Sequence, residues 1–274
     1  MREGLDLALA AEEMVRAGGG AFIDWRGARV TTHFQPIYGV RTRMCLGFEA
    51  LARASDAHGT EIAAESLFES VADDCRGLLD WACRALHLRN YATVDPGDRM
   101  LFINVHPEAA VRDARRSREF GELIRYYGLL PKRVCIEILE AGCSDDDLLA
   151  DAVQAYRALG ALVAMDDFGS GCSDFARVRR LRPGVVKIDR SVIGGCGTEG
   201  ARRALRDTVC ELHAAGAKVA IEGVETRAHA LAAIDAHADY LQGHFFATPQ
   251  PWLAGEIGGT EALDQLLHAR RLAA

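Results

Sequence analysis

The chain lacks the features that mark membrane, secreted or nucleic-acid-coating proteins. No apolar run approaches the roughly 18 residues of a membrane-spanning helix, and the opening Met-Arg-Glu-Gly-Leu-Asp carries acids where a secretory signal carries an apolar core. The eight cysteines, at 45, 75, 83, 135, 143, 172, 196 and 210, form no Cys-x-x-Cys pair and no Cys/His zinc spacing. They read as small buried residues in a reducing cytosol. Basic charge is not in excess: 32 Lys and Arg against 39 Asp and Glu leave a formal charge of -7, which argues against nonspecific duplex binding and a DNA partner. A local site can still hold a small phosphate ligand. Low-complexity segments and strong internal repeats are absent too, so the expectation is a soluble, cytoplasmic globular protein.

What is present is 274 residues with 49% apolar content, enough for one large core or two small ones, and α/β barrels of this size often form one domain. Residues 1–28 are rich in Ala and Glu and break at Gly18-Gly19-Gly20, which predicts an N-terminal helical extension or linker ahead of one domain over 29–274. Val30 to Tyr38 and Met44 to Leu51 are strand-like and close enough for a hairpin. Ala64 to Ala72 and Arg76 to Tyr91 read as helices, the second with Leu78, Leu79, Ala82, Ala85 and Leu86 in an apolar stripe. Short apolar strands then alternate with amphipathic helices. One helix is capped at Ser144, with Leu148, Leu149, Ala152, Val153, Tyr156 and Leu159 on one face.

Each strand ends in a polar residue. Asn104, Glu137, Asp166, Lys187, Glu222 and Gln242 recur at intervals of 20 to 35 residues, the spacing of successive βα units. Parallel strands joined by right-handed crossovers bring their C-terminal ends to one face, so these residues meet, together with Glu49 and Asp167. A polar strand end is unremarkable singly; its repetition is the signal. Oxygen ligands without Cys or His select a hard cation, Mg2+ or Mn2+, and a pair of ions suits phosphodiester hydrolysis. Asp166 is placed to bridge two ions, Lys187 to orient a water or a phosphate oxygen, and Arg53 to clamp phosphate. Taken alone, Glu49 and Arg53 can equally be a surface ion pair. His33 and His106 read as hydrogen-bonding core or rim histidines rather than ligands, and Arg112, Arg115, Arg116 and Arg118 as a solvated helix face.

These residues resemble the EAL domains, bacterial hydrolases of cyclic di-GMP. Phe34-Gln35-Pro36-Ile37, Glu49-Ala50-Leu51-Ala52-Arg53, Phe102-Ile103-Asn104-Val105, Ile136-Glu137-Ile138, Asp166-Asp167-Phe168-Gly169, Val186-Lys187-Ile188-Asp189, Glu222-Gly223-Val224-Glu225 and Gln242-Gly243 occur in the family's order across about residues 30 to 252. The resemblance implies an α/β fold, a (β/α)8 TIM-like barrel with one antiparallel strand. It implies two metal ions on Glu49, Asn104, Glu137, Asp166 and Asp167, with Glu222 near the second ion and the attacking water. Lys187 would assist that water, Gln35 and Arg53 would contact the dinucleotide, and Gln242 would lie close to the catalytic centre. Glu140 and Glu225 would anchor the loop after Asp167, which in the family links dimerisation to metal binding; a homodimer is implied on that ground alone.

The chain departs from the family at Ser170 (usually Thr), Cys172 (usually Tyr), Leu139 (commonly Thr) and His244 (commonly Tyr). None of these removes a proposed ligand, and Cys172 loses an aromatic contact. The resulting expectation is a metal-dependent phosphodiesterase that opens cyclic di-GMP to linear pGpG. Two alternatives stand beside it: a catalytically weak or inactive receptor of the same fold, binding cyclic di-GMP or a regulatory protein partner, and a barrel hydrolase of another phosphate ester, against which Gln35 and Arg53 weigh.

Overall fold

The structure, a computed structural model, describes residues 16–17, 20–94, 98–106, 109–111, 117–139, 145–171, 175–251 and 256–273. Eight strands close into a barrel: β1 (Ala28–Gly39), β2 (Cys45–Ser55), β3 (Met100–Val105), β4 (Val134–Leu139), β5 (Leu162–Phe168), β6 (Val185–Ile188), β7 (Lys218–Ile221) and β8 (Tyr240–Leu241). β2 through β8 are joined in chain order by parallel pairings, and β1 closes the ring as an antiparallel strand between β8 and β2. The expected (β/α)8 barrel with one antiparallel strand is therefore what forms.

Helices cover the outside: α1 (Ala64–Glu69), α2 (Asp73–Val94), α3 (Ser117–Tyr126), α4 (Asp146–Ala158), α5 (Phe175–Leu181), α6 (Arg190–Gly194), α7 (Glu199–Ala214), α8 (Arg227–Asp235) and α9 (Glu256–Ala273). Their apolar faces and the outward strand residues make the main core, which includes Val30, Phe34, Phe48, Ile103, Ile136, Val163, Val186 and Val219. Two residues of the expected apolar stripes, Leu78 and Leu148, face solvent at 39% and 48% exposure. Each precedes a residue, Leu79 or Leu149, that is buried; a step of one residue turns about 100° around a helix, which takes the side chain off the stripe. The cap of α4 is Asp145, whose carboxylate accepts from the amides of Asp147 and Leu148, rather than Ser144, which lies outside the described residues.

The described part of the N-terminal stretch, for which a helical extension or linker was expected, is extended. Arg16–Ala17 pairs with Gly20–Ala21, and Ile23–Trp25 pairs with the start of β1 and so prolongs the barrel's sheet. Asn90 on α2 fastens this segment by accepting from the Ala21 amide at 2.7 Å and donating to the Ala21 carbonyl at 3.0 Å. Any helix within residues 1–15 lies outside the described residues.

A second, smaller cluster fills the barrel itself: Ile37, Phe102, Cys135, Ala164, Val185 and Ala220, with Tyr240 packed against it. Strand side chains alternate in direction with a period of two, so this plug lies one step below the polar residues found two positions away along the same strands. Gly47 occupies the corresponding place on β2, and a Cβ there would sit 2.2 Å from the Met100 carbonyl oxygen. Glycine thus lets β2 and β3 approach.

At the opposite end of the barrel from the polar ring, the Asp239 carboxylate accepts from the Val219 amide at 2.9 Å and contacts His213 and Lys218. Burial acts to raise its pKa, but the Val219 amide, Lys218 and His213 outweigh it and hold the carboxyl below its usual range. A depressed folded-state pKa contributes stability above the unfolded value of about 3.9 and loses it as pH falls through the folded value. Asp239→Asn should therefore cost about 1 to 2 kcal/mol at pH 7, since it weakens a partly buried hydrogen-bond acceptor. The deficit should shrink below about pH 4 in denaturant titrations of both proteins.

Candidate active site

The ring predicted from the strand ends assembles at the C-terminal mouth of the barrel. β1 brings Gln35, β2 Glu49, β3 Asn104, β4 Glu137, β5 Asp166 and Asp167, and β6 Lys187; Glu222 and Gln242 follow directly on β7 and β8. The ladder continues past those last two strands, with the Glu222 amide on the Ile188 carbonyl at 3.1 Å and the Gln242 amide on the Ile221 carbonyl at 3.0 Å. Both side chains are thereby fixed at the rim.

Lys187 stands at the centre. Its ammonium lies 2.5 Å from Glu222 Oε1, 2.8 Å from Glu137 Oε1, 3.2 Å from Asp166 Oδ1 and 3.3 Å from Glu49 Oε2, with its side chain 1% exposed. Glu49 is further held by Asn104 Nδ2 on Oε1 and by Gln242 Nε2 on Oε2, each at 2.7 Å. Gln242 also donates to Gln35 Oε1 at 3.2 Å, and Gln35 donates to the Ala247 carbonyl at 3.2 Å.

Charge is unevenly tolerated. Burial pushes Glu137 and Glu222 well above the usual carboxylate range, with Lys187 offsetting only part of it. Asp166 is raised for the same reason, and Asp167 is pushed up to about 6 by burial and then by the neighbouring Asp166. Burial also acts on Glu49, but Lys187 and the hydrogen bonds from Gln242 and Asn104 overcome it and keep its carboxyl below the ordinary value. Lys187 itself is held well above its usual value by the acids, despite burial. Several carboxylates thus compete for one ammonium.

The adjacent acids Asp166 and Asp167 require a special backbone. Neighbours on a regular strand face opposite sides of a sheet. Here the register moves from Val186 opposite Met165 to Ile188 opposite Phe168, so β5 carries one residue more than β6, and Asp167 has φ +58°. This bulge brings both carboxylates into the site. Carboxylate oxygens of Glu49, Glu137 and Asp166 lie within 4.8 Å of one another, as do those of Asp166, Asp167 and Glu222. Asp166 belongs to both groups.

These donors fit hard cations. They are oxygens, they outnumber the one buried cation among them, and two buried atoms, Glu137 Oε2 and Gln242 Oε1, have no hydrogen-bond partner among the described residues. Asn104 uses its amide nitrogen on Glu49, which leaves its carbonyl oxygen as a possible ligand.

The comparisons with known proteins bear on this geometry. The family model for the EAL domain matches residues 23–249. The chain belongs to the EAL domain family. An uncharacterised protein of Azorhizobium caulinodans is 28% identical over 270 residues, covering 93% of this chain and 35% of that protein. The cyclic di-GMP phosphodiesterase RocR of Pseudomonas aeruginosa is 29% identical over 153 residues, covering 55% of this chain and 39% of RocR. Among solved structures, a standalone EAL protein from Vibrio cholerae in its c-di-GMP-bound form superposes with a TM-score of 0.73 at 28% identity, covering 81% of this chain and 92% of that one. The chain thus spans well under two thirds of the length of those curated relatives.

Other expected members of this EAL site are placed differently. Arg53 does not pair with Glu49; it lies farther along β2, with Nη1 on the Ala52 carbonyl and a long, 4.0 Å contact from Nε to exposed Glu61. Glu225 is exposed, and its backbone amide meets His229 Nδ1 at 3.4 Å. Glu140, Cys172 and three of the four arginines noted in the sequence, Arg112, Arg115 and Arg116, lie outside the described residues. Cys83 and Cys135 are buried, as expected of most of the cysteines, and burial pushes the Cys83 thiol up to about 12. Missing from the sequence reading was the segment 247–250, whose Ala247 carbonyl holds Gln35 and whose Gln250 backbone pairs with Phe34. No periodicity marks it.

Gly243 holds the rim together: a Cβ there would lie 2.2 Å from the Val224 carbonyl oxygen. Millimolar Mg2+ or Mn2+ should raise the melting temperature by several degrees, and chelator should reverse it, because an ion bound only by the folded state stabilises it. Asp167→Asn, which tolerates a positive φ, should melt normally in chelator yet gain less from metal; differential scanning fluorimetry of both proteins reads this.

Proposed function

We propose that this chain is a metal-dependent cyclic di-GMP phosphodiesterase that hydrolyses one 3'-5' phosphodiester bond to give linear pGpG. The observation that carries the reading is the convergence of Glu49, Glu137, Asp166, Asp167 and Glu222 on two carboxylate groups sharing Asp166 at the mouth of an EAL barrel. In this reading Glu49, Asn104, Glu137, Asp166 and Asp167 would hold two Mg2+ or Mn2+ ions, with Glu222 near the second; Asp166 belongs to both carboxylate groups. Two such ions supply an activated water and neutralise charge on the phosphoryl oxygens.

The chain's own side chains do the rest. Gln35 and Arg53 hold the dinucleotide; Arg53 gives up its long contact with Glu61 for a phosphate, a better partner for a planar guanidinium. Lys187, set among those acids, would orient the attacking water or a phosphate oxygen. Glu222 adjoins that water. Gln242 ties Glu49 to Gln35 and so keeps a metal ligand and a substrate contact in register. Residues 29–274 form the phosphodiesterase unit, with Glu140 and Glu225 anchoring the loop after Asp167. A cytoplasmic homodimer, and regulation through a protein partner, accompany the same reading.

Chromatography of cyclic di-GMP incubated with the purified protein tests it. Mg2+ or Mn2+ should yield pGpG, chelator should stop it, and Glu49→Gln should lower turnover by at least about a hundredfold while the protein still melts cooperatively, since it removes a charged ligand and no core volume. Binding of cyclic di-GMP without product would transfer the chain to the receptor class, and unchanged turnover in Glu49→Gln would remove the acidic ring from the mechanism.

A further inference from the structure

β1 and β2 rise above the acidic ring as a two-stranded wall. Residues directly opposite in an antiparallel pair face the same side. Gln35 is opposite Glu49, His33 opposite Leu51 and Thr31 opposite Arg53. Gln35 and Glu49 face the barrel axis, so the period of two places His33 and Leu51 on that face one step higher, and Thr31 and Arg53 one step higher again. On β1 burial follows the same alternation, with Thr32 and Phe34 buried and Thr31 and His33 only partly covered; on β2 Ala50 and Ala54 are buried, while Leu51, Ala52 and Arg53 are all partly covered. His33 therefore lies on the path between the acidic ring and Arg53, about 7 Å along the strand from Gln35.

The ring of His33 lies against the Pro249 backbone, and since proline has no N–H, the group that a ring nitrogen faces there is the Pro249 carbonyl. Burial, then the nearby Arg53, hold the imidazole below its ordinary pKa, with Glu61 and the Pro249 backbone opposing them. In the neutral ring one nitrogen donates and the other accepts. With its N–H toward the Pro249 carbonyl, the neutral ring keeps one acceptor nitrogen.

We propose that His33 is a substrate-contacting residue whose second ring nitrogen accepts a hydrogen bond from an N–H or O–H of the nucleoside held between the acidic ring and Arg53. The inference rests on the cyclic di-GMP reading and adds a contact to it. A phosphate at neutral pH offers no donor, so the partner is the nucleoside part: the guanine edge with its N1–H and amino group, or the ribose 2'-hydroxyl. Either supplies the same chemistry.

Steady-state kinetics of the full chain with Mn2+ test the contact. His33→Ala should raise KM for cyclic di-GMP roughly three- to tenfold, the worth of one hydrogen bond. Its kcat should stay within about twofold of the parent, as uniform binding is lost and not transition-state binding. The Mn2+ concentration giving half-maximal rate should not move, and His33→Gln, which keeps an acceptor oxygen, should recover part of the loss.

Competition by cyclic di-AMP, which lacks the guanine donors, and by a 2'-deoxyribose cyclic dinucleotide identifies the group. The analogue missing the true donor should bind the parent protein more weakly yet show no further loss with His33→Ala. An unchanged KM, a fall in kcat with a shifted Mn2+ requirement, or equal penalties for both analogues in parent and variant would each overturn the assignment of His33. Absence of both product and binding in the parent protein would instead overturn the cyclic di-GMP reading beneath it.

Discussion

The shortage of positive charge at the barrel mouth is the constraint on which the rest of this molecule depends. Five carboxylates reach into a small, largely dry volume, and Lys187 is the buried cation set among them. Like charges at such distances raise one another's pKa, and burial adds to the effect. Only Glu49, which collects hydrogen bonds from Asn104 and Gln242 as well as the lysine, keeps an ordinary appetite for charge. A barrel tuned only for stability would fill this layer with apolar side chains, as it does one layer below.

That lower layer gives the acids their footing. Ile37, Phe102, Cys135, Ala164, Val185, Ala220 and Tyr240 are displaced by two residues from Gln35, Asn104, Glu137, Asp166, Lys187, Glu222 and Gln242, so plug and ring are consecutive rungs of the same strands. The plug excludes water from beneath, and the closed ladder leaves the strands little freedom to slide, because a slip by one residue would turn every acid to the outside. Ring and plug are held in register by the same backbone hydrogen bonds.

The exception to strand regularity falls where chemistry needs it. Asp166 and Asp167 reach the same site only because Asp167 takes a left-handed conformation within a bulge, a local cost that aspartate bears better than most residues. At the other edge of the mouth, the two-residue β8 is too short to pair with the upper half of β1, and Gln250 pairs with Phe34 there instead. The segment that follows β8 thus becomes part of the site wall.

Period and polarity were legible in the sequence. The strand-end acids stand out because each terminates an apolar run, and the repetition of βα units dictates that such ends share a face. The hairpin of β1 and β2 followed from local signals of the same kind. Other features left no local trace. Leu78 and Leu148 look identical to their buried neighbours, and residues 20–25 carry no mark of the β-pairing and of the Asn90 clasp that hold them extended. Glu49 and Arg53 read as a pair four residues apart, yet the barrel separates them, giving one to Lys187 and leaving the other near Glu61. By itself the sequence determined which residues carry charge and which strand ends bear them, since alternation and run length are local properties. Only the tertiary structure decided which charges meet, because closing the barrel brings together Glu49, Glu137, Asp166, Lys187 and Glu222 from five strands, and no local rule measures distances across a ring.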